Sequence, residues 1–193
     1  MGDRTEATER LRDFIRKASP KAKNVLELAS GTGSVLKHLS KNYDVWGLDL
    51  SKQMLSIARK KVPQASLSCQ NMVTFHLRQR FDVVCCVFDS MNHVAVFTHW
   101  KQLFANVHQH LSPGGVFIFD INTQQKLNRL IAEPAWVYKF GNNFLIMKVT
   151  GTGKNRGRIG TSRSLSTPGK IDTCCTKKVF KRCLSRCARL FVP

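Results

Sequence analysis

Apolar positions along the first 120 residues alternate between two periods, and that alternation predicts a layout. Leu11, Phe14 and Ile15 recur at helical spacing among charges and Ser19-Pro20 closes the segment, so a packing helix is expected over residues 8–17. Residues 25–28 form a short apolar run that enters glycines, and Val35, Leu36 and Leu39 then continue at helical spacing to residue 42. The same order repeats. Residues 45–50 predict a second strand, Met54, Leu55 and Ala58 a helix that stops at Val62-Pro63, and residues 66–69 a short third strand. Residues 81–88 are an unbroken apolar run, suited to the middle of a parallel sheet. Trp100, Leu103, Phe104, Val107 and Leu111 return to helical spacing, Pro113-Gly114-Gly115 turns the chain, and residues 116–119 predict a fifth strand.

Strands that alternate with helices across short links imply right-handed βαβ units. The expected fold class is therefore α/β, a doubly wound and mostly parallel sheet with helices on both faces. Residues 136–138 and 144–149 read as further short strands, and at Gly151 the alternation gives way to Gly, Ser, Thr, Lys and Arg. The chain accordingly divides into a ligand-binding domain over residues 1–150 and a basic, cysteine-containing tail over residues 151–193 that is no separate domain. Nothing after Gly151 alternates like a pair of sheet strands. Instead Val179, Phe180, Cys183, Leu184, Cys187, Leu190 and Phe191 fall at helical spacing with Lys and Arg between them, the pattern of a basic amphipathic helix.

Composition narrows the function classes. With 193 residues and 42% hydrophobic content the chain can bury one substantial core. Its longest apolar run, residues 83–88, is far too short for a membrane span, and the N-terminus alternates charges where a signal peptide would be apolar. A cytoplasmic location is expected, and with it reduced thiols: Cys85 and Cys86 lie inside an apolar run, and the tail cysteines lack paired Cys-x-x-Cys spacing, so no metal site is expected. The formal charge of +19 is uneven, since residues 151–193 carry 11 of the 31 Lys and Arg but one of the 12 Asp and Glu. Such a tail attracts polyanions, nucleic acid or acidic membrane, without specifying either.

In an open α/β sheet ligands bind at the carboxyl ends of the strands, so the residues that follow each strand are the candidates. Gly31 and Gly33 follow the first, where the absence of Cβ atoms lets the chain turn sharply and its backbone approach a ligand. Asp49 ends the second strand, sixteen residues beyond Gly33, placed to accept hydrogen bonds from both hydroxyls of a ribose; Asp49 or Ser51 could instead cap the next helix. A dinucleotide fingerprint requires a small residue where Leu36 stands, which disfavours a bound NAD, and the absence of Gly-Lys-Ser/Thr excludes a P-loop. His93, after the fourth strand, is the best candidate base because an unperturbed imidazole titrates near neutrality.

Four segments in order, VLELASGTG (residues 25–33), GLDLSKQML (47–55), FDVVCCVFDSMNH (81–93) and LSPGGVFIFD (111–120), resemble successive motifs of the class I S-adenosylmethionine-dependent methyltransferases, and in particular the small-molecule branch that includes sugar N-methyltransferases. The resemblance implies a Rossmann-like methyltransferase fold with S-adenosylmethionine as cofactor. Glu27 and the backbone of Ala29, Ser30, Gly31 and Gly33 would hold its methionine part, Asp49 with Leu50 the ribose, and Met54 the adenine face. Asn71, beside Met72, stands where the family usually has an aspartate that accepts from the adenine amino group; an amide oxygen can accept too, without charge assistance. Phe88 and Asp89, with Ser90, Asn92 and His93 behind them, would lie beside the methyl group.

Two departures qualify the expectation. The chain starts without the helical segment that relatives place ahead of the first helix, and the antiparallel strands that complete their sheet are expected to be incomplete. The tail reads as replacement core or as an out-of-frame ending. Methyl transfer to the amine or hydroxyl of a small molecule is the expected function; the alternative is a catalytically weak methyltransferase-like binding protein whose basic tail contacts nucleic acid, membrane or a protein partner.

Overall fold

The computed structural model describes residues 5–140, 143–147, 158–163 and 174–178. Strand β1 (Asn24–Leu28) has a neighbour on each edge, which is why Val25, Leu26 and Leu28 are all fully buried. Around it lie β2 (Asp44–Asp49), β3 (Ser66–Cys69), β4 (Phe81–Cys86) and β5 (Leu111–Phe119), in the order β3-β2-β1-β4-β5 and all parallel. Helices α1 (Thr5–Ala18), α2 (Ser34–Leu39) and α3 (Lys52–Lys61) precede β1, β2 and β3 in turn, β4 follows β3 with no helix between them, and α4 (Phe97–His110) precedes β5. The doubly wound parallel sheet read from the sequence is the sheet observed.

Successive side chains of a strand point to opposite faces, and the core sorts accordingly. Val25, Val83 and Cys85 face Leu11 and Ile15 of α1 and Val35, Leu36 and Leu39 of α2. The alternate positions face α4, where Phe104 meets Phe117 and Phe119 with ring centroids 5.7 and 5.5 Å apart. Burial of the two adjacent thiols, and after it the carboxylate of Glu27, push Cys85 and Cys86 well above the ordinary thiol range.

Strand β5 begins earlier than its apolar run. Leu111 pairs with Phe81 before Val116 pairs with Val83, so the Pro113-Gly114-Gly115 turn is absorbed as an irregularity at the start of the strand. The chain divides by compactness into Met1–Val94 with Thr98–Ile121, and Ala95–Phe97 with Asn122–Pro193. The second unit contains a helix absent from the sequence reading, α5 (Gln124–Ala132), capped by the Thr123 hydroxyl, which accepts from the Lys126 N–H at 3.2 Å. Leu127 of α5 is buried against Leu130, Ile131 and Trp136.

The predicted strands over residues 136–138 and 144–149 are the antiparallel pair β6 (Trp136–Phe140) and β7 (Asn143–Met147). A second antiparallel pair joins β8 (Arg158–Arg163) to β9 (Cys174–Lys178), which corrects the expectation that no strand pair follows Gly151. The segments RIGTSR and CCTKK carry no apolar face, so hydrophobic alternation is blind to a pairing made by backbone hydrogen bonds. The basic amphipathic helix read over residues 179–191 lies outside the described residues. Among the described residues no helix is long and apolar enough to cross a membrane.

Candidate active site

The chain runs outward from β1 through β2 to β3, then crosses back to β4 and β5, so its direction reverses between β1 and β4. At such a switch point the loops that leave two neighbouring strands diverge and open a crevice at their carboxyl ends. Glu27 pairs in register with Cys85, so the loop after Leu28 and the loop after Cys86 leave the sheet side by side.

The β1 side of the crevice is a tight turn. Ala29, Gly31 and Gly33 all have positive φ, at 55°, 55° and 71°. Ser30 prolongs the β1–β2 ladder by donating its N–H to the Leu48 carbonyl at 2.9 Å, and the Gly33 N–H closes the turn on the Ser30 carbonyl at 3.0 Å. The two glycines serve different ends. A Cβ on Gly33 would stand 3.0 Å from the Ala58 Cβ, so that glycine lets the turn pack on α3, whereas a Cβ on Gly31 would meet nothing within 4 Å. Gly31 therefore faces open space at the strand tip, a cradle that a side chain would fill.

Asp49 locks the turn in place. Its Oδ2 accepts from the Gly31 N–H at 2.9 Å and its Oδ1 from the Ser51 N–H at 2.8 Å, tying the end of β2 to the turn after β1. A carboxylate offers about four lone-pair sites, so two bonds to backbone leave acceptor capacity for a hydroxyl pair. Ser51 caps α3, accepting from the Met54 N–H at 3.2 Å, and the capping alternative for this pair is thus Ser51. Leu50, Met54 and Ile57 follow on the surface, 69%, 40% and 49% exposed, as an apolar strip beside the turn. Glu27 and Ser30 are buried on the other side of the turn, the Ser30 hydroxyl with no hydrogen-bond partner.

Gln70 continues the strand tips, its N–H donating to the Asp49 carbonyl at 3.2 Å. The Asn71 side-chain oxygen accepts from the Val73 N–H at 2.9 Å, so one of its two lone pairs is committed to its own loop, and Met72 is half-buried beside it. That loop is held from below by α4. Asn106 donates to the Phe75 carbonyl at 2.8 Å, and buried His110 accepts from the Leu77 N–H at 3.0 Å through Nε2. Neither residue stood out in the sequence.

On the β4 side, Phe88 and Asp89 have φ of 60° and 70°, two consecutive non-glycine residues in a conformation that costs an L-residue about 1–2 kcal/mol. Both are stabilised by Asp120, the residue after β5: its Oδ2 accepts from the Phe88 N–H at 2.8 Å and its Oδ1 from the Asp89 N–H at 2.9 Å. A short 3₁₀ helix follows, Ser90–His93, with Met91 fully buried as its anchor and His93 exposed at its end. Asp120 closes the fourth sequence motif without showing a role there, because a residue just past a strand shows its partners only once that strand has been placed.

A parallel sheet with a glycine cradle, a carboxylate at the next strand tip and a crevice at the switch point defines a nucleotide-binding domain of the Rossmann-like class. Residues 25–115 match the methyltransferase domain family. Over those residues the domain is similar to the class I S-adenosylmethionine-dependent methyltransferases. The chain is 36% identical over 109 residues to a dTDP-3-amino-3,4,6-trideoxy-alpha-D-glucopyranose N,N-dimethyltransferase of Streptomyces venezuelae, covering 56% of this chain and 46% of that protein. It is 38% identical over 132 residues to a dTDP-3-amino-3,6-dideoxy-alpha-D-glucopyranose N,N-dimethyltransferase of Streptomyces fradiae, covering 68% and 46%. The chain thus spans about half the length of these curated relatives. Among solved structures, Streptomyces venezuelae DesVI superposes with a TM-score of 0.75 at 26% identity, over 94% of this chain and 79% of that one. An amino pentose methyltransferase from Micromonospora echinaspora, solved with S-adenosylmethionine bound, shares the fold at a TM-score of 0.80 and 23% identity, over 97% and 81%.

Proposed function

We propose that the chain transfers the methyl group of S-adenosylmethionine to an amine or hydroxyl of a small molecule. The observation that carries the reading is the glycine turn: open at Gly31, packed at Gly33 and tied to the second strand by Asp49. Relatives named as amino-sugar N,N-dimethyltransferases support an amine on a sugar nucleotide as the acceptor class. A cytoplasmic site of action fits the buried thiols Cys85 and Cys86.

The residues present fit the cofactor. Gly31 leaves room at the cradle, Glu27 and the backbone of residues 29–33 would hold the methionine part, and Asp49 has lone pairs left for a ribose. The exposed strip of Leu50 and Met54 would cover the adenine face, with Asn71 and Met72 at its edge. When bound, the cofactor supplies a methyl group already activated on a sulfonium. What remains for the protein is to align the acceptor, exclude water and accept a proton. Phe88 and Asp89 would hold the methyl end, and His93, exposed at the end of the 3₁₀ helix that follows them, would take the proton of the amine onto an imidazole nitrogen and pass it to solvent.

Incubation of the chain with methyl-tritiated S-adenosylmethionine and a panel of sugar-nucleotide amines tests the reading. Tritium is expected in one or more acceptors and absent with Asp49→Ala. Transfer to none of them, by protein that binds S-adenosylhomocysteine, would contradict the acceptor class. Relatives of known activity lend no support to a regulatory binding role, and the contact of the basic tail with nucleic acid or membrane falls largely on residues outside those described.

A further inference from the structure

The residue that sets the β4 wall of the crevice is not in that wall. We infer that Asp120 is a positioning residue: its carboxylate fills a backbone anion nest and thereby holds Phe88 and Asp89 at the switch point. Successive backbone N–H groups in a turn can point into one concavity and form an anion site. Phe88 and Asp89 make such a nest, with φ of 60° and 70°, and their N–H groups meet the two oxygens of one side chain at 2.8 and 2.9 Å.

The sheet explains how this residue reaches them. Cys86 pairs with Phe119 as the last register pair of β4 and β5, and the Asp120 N–H extends the ladder by one bond, to the Cys86 carbonyl at 3.2 Å. Asp120 is thereby fixed opposite the point where β4 ends, and its side chain spans to the amides two and three residues further on, those of Phe88 and Asp89. Bonds to a charged acceptor are stronger than neutral ones, so one carboxylate can hold two residues in a conformation that neither favours alone. From there the loop is set link by link. The Asp89 carboxylate accepts from the Asn92 amide, the Ser90 hydroxyl donates to the Val87 carbonyl at 2.9 Å, and the Trp100 indole N–H donates to the Val94 carbonyl at 2.8 Å. The start of the loop hangs on β5 and its end on α4.

The inference rests on the proposed cofactor site, because only there does the placement of Phe88 and Asp89 matter for binding. Three forms of the full 193-residue chain are compared: wild type, Asp120→Asn and Asp120→Ala. Two readouts are taken, amide hydrogen exchange at residues 88 and 89 and calorimetric affinity for S-adenosylhomocysteine. Asp120→Ala is expected to speed exchange at both amides at least tenfold and to weaken binding about tenfold. Added formate, a free carboxylate that fits the vacated nest, is expected to restore both to within twofold, while chloride at equal ionic strength does not. Asp120→Asn keeps the shape but offers one oxygen, so one amide loses its acceptor and formate cannot enter; its defect is expected to persist in formate.

Unchanged exchange in Asp120→Ala would overturn the clamp. Faster exchange with unchanged affinity would overturn its positioning role, and a defect that chloride relieves as well as formate would assign the effect to general stability. If wild type fails to bind S-adenosylhomocysteine, the cofactor reading falls, and the exchange measurement with formate still decides whether Asp120 holds the loop.

Discussion

Gly31 and Gly33 sit two residues apart with the same sign of φ, yet their replacement by alanine is expected to have separate consequences. Each alanine would be held in the left-handed region at φ of 55° or 71°, which costs about 1–2 kcal/mol. The loss of unfolded-state freedom on going from Gly to Ala is shared by both variants and cancels in their comparison. The packing term does not cancel. At Gly33 the new methyl lies 3.0 Å from the Ala58 Cβ and 3.3 Å from its Cα, and backbone cannot swing aside as a flexible side chain can, so overpacking adds about 1–3 kcal/mol. At Gly31 the methyl meets no protein atom within 4 Å. Urea unfolding, analysed by linear extrapolation, should therefore show Gly33→Ala less stable than Gly31→Ala by about 1–3 kcal/mol. Ligand affinity should reverse the order of interest: Gly31→Ala fills the cradle and is expected to weaken S-adenosylhomocysteine by at least about tenfold, or about 1.4 kcal/mol. Equal stability of the two variants would refute the packing role of Gly33. Wild-type affinity in a folded Gly31→Ala would refute the cradle.

Other consequences can be measured on the same protein. Asp49→Ala removes the acceptor of two charge-assisted bonds and should lower unfolding stability by about 2–4 kcal/mol in urea titrations while weakening S-adenosylhomocysteine. His93→Gln should leave that affinity within about twofold but cut turnover of an acceptor about 10²-fold or more, a result contradicted by unaltered turnover. Cys85 and Cys86 stay protonated in the folded chain above the pH, about 9, at which unfolded thiols ionise, so their contribution is complete below that pH and is lost as pH rises beyond it. Unfolding free energy should then fall by up to about 1.4 kcal/mol per pH unit for each thiol, and a Cys85→Ala/Cys86→Ala chain should show the shallower decline.

The sheet was legible because buried parallel strands are written as short apolar runs, and the observed bounds of β1 to β4 fall within two residues of those runs. The Ser51 cap was legible for the same local reason, since cap and capped amide are three residues apart. Long-range pairs were not. The sequence suggested that Leu36 would obstruct close packing where a dinucleotide fold has glycine; in the structure the room is provided across the interface by Gly47, where a Cβ would stand 2.6 Å from the Leu36 Cδ1. Asp49 was read as a ribose ligand or a helix cap, yet its visible partners are the Gly31 and Ser51 amides, a link that depends on β1 and β2 being neighbours. Asp120 escaped because its partners lie more than thirty positions away, and β8 and β9 because paired polar strands leave no hydrophobic period.

The measurement that bears most directly on the switch-point crevice is calorimetric titration of the folded 193-residue chain with S-adenosylhomocysteine and, in parallel, with NADH. The expected result is one saturable site for S-adenosylhomocysteine, weakened at least about tenfold by Asp49→Ala, and no heat with NADH. Saturable binding of NADH, or no binding of S-adenosylhomocysteine by protein with a native circular-dichroism spectrum, would contradict it.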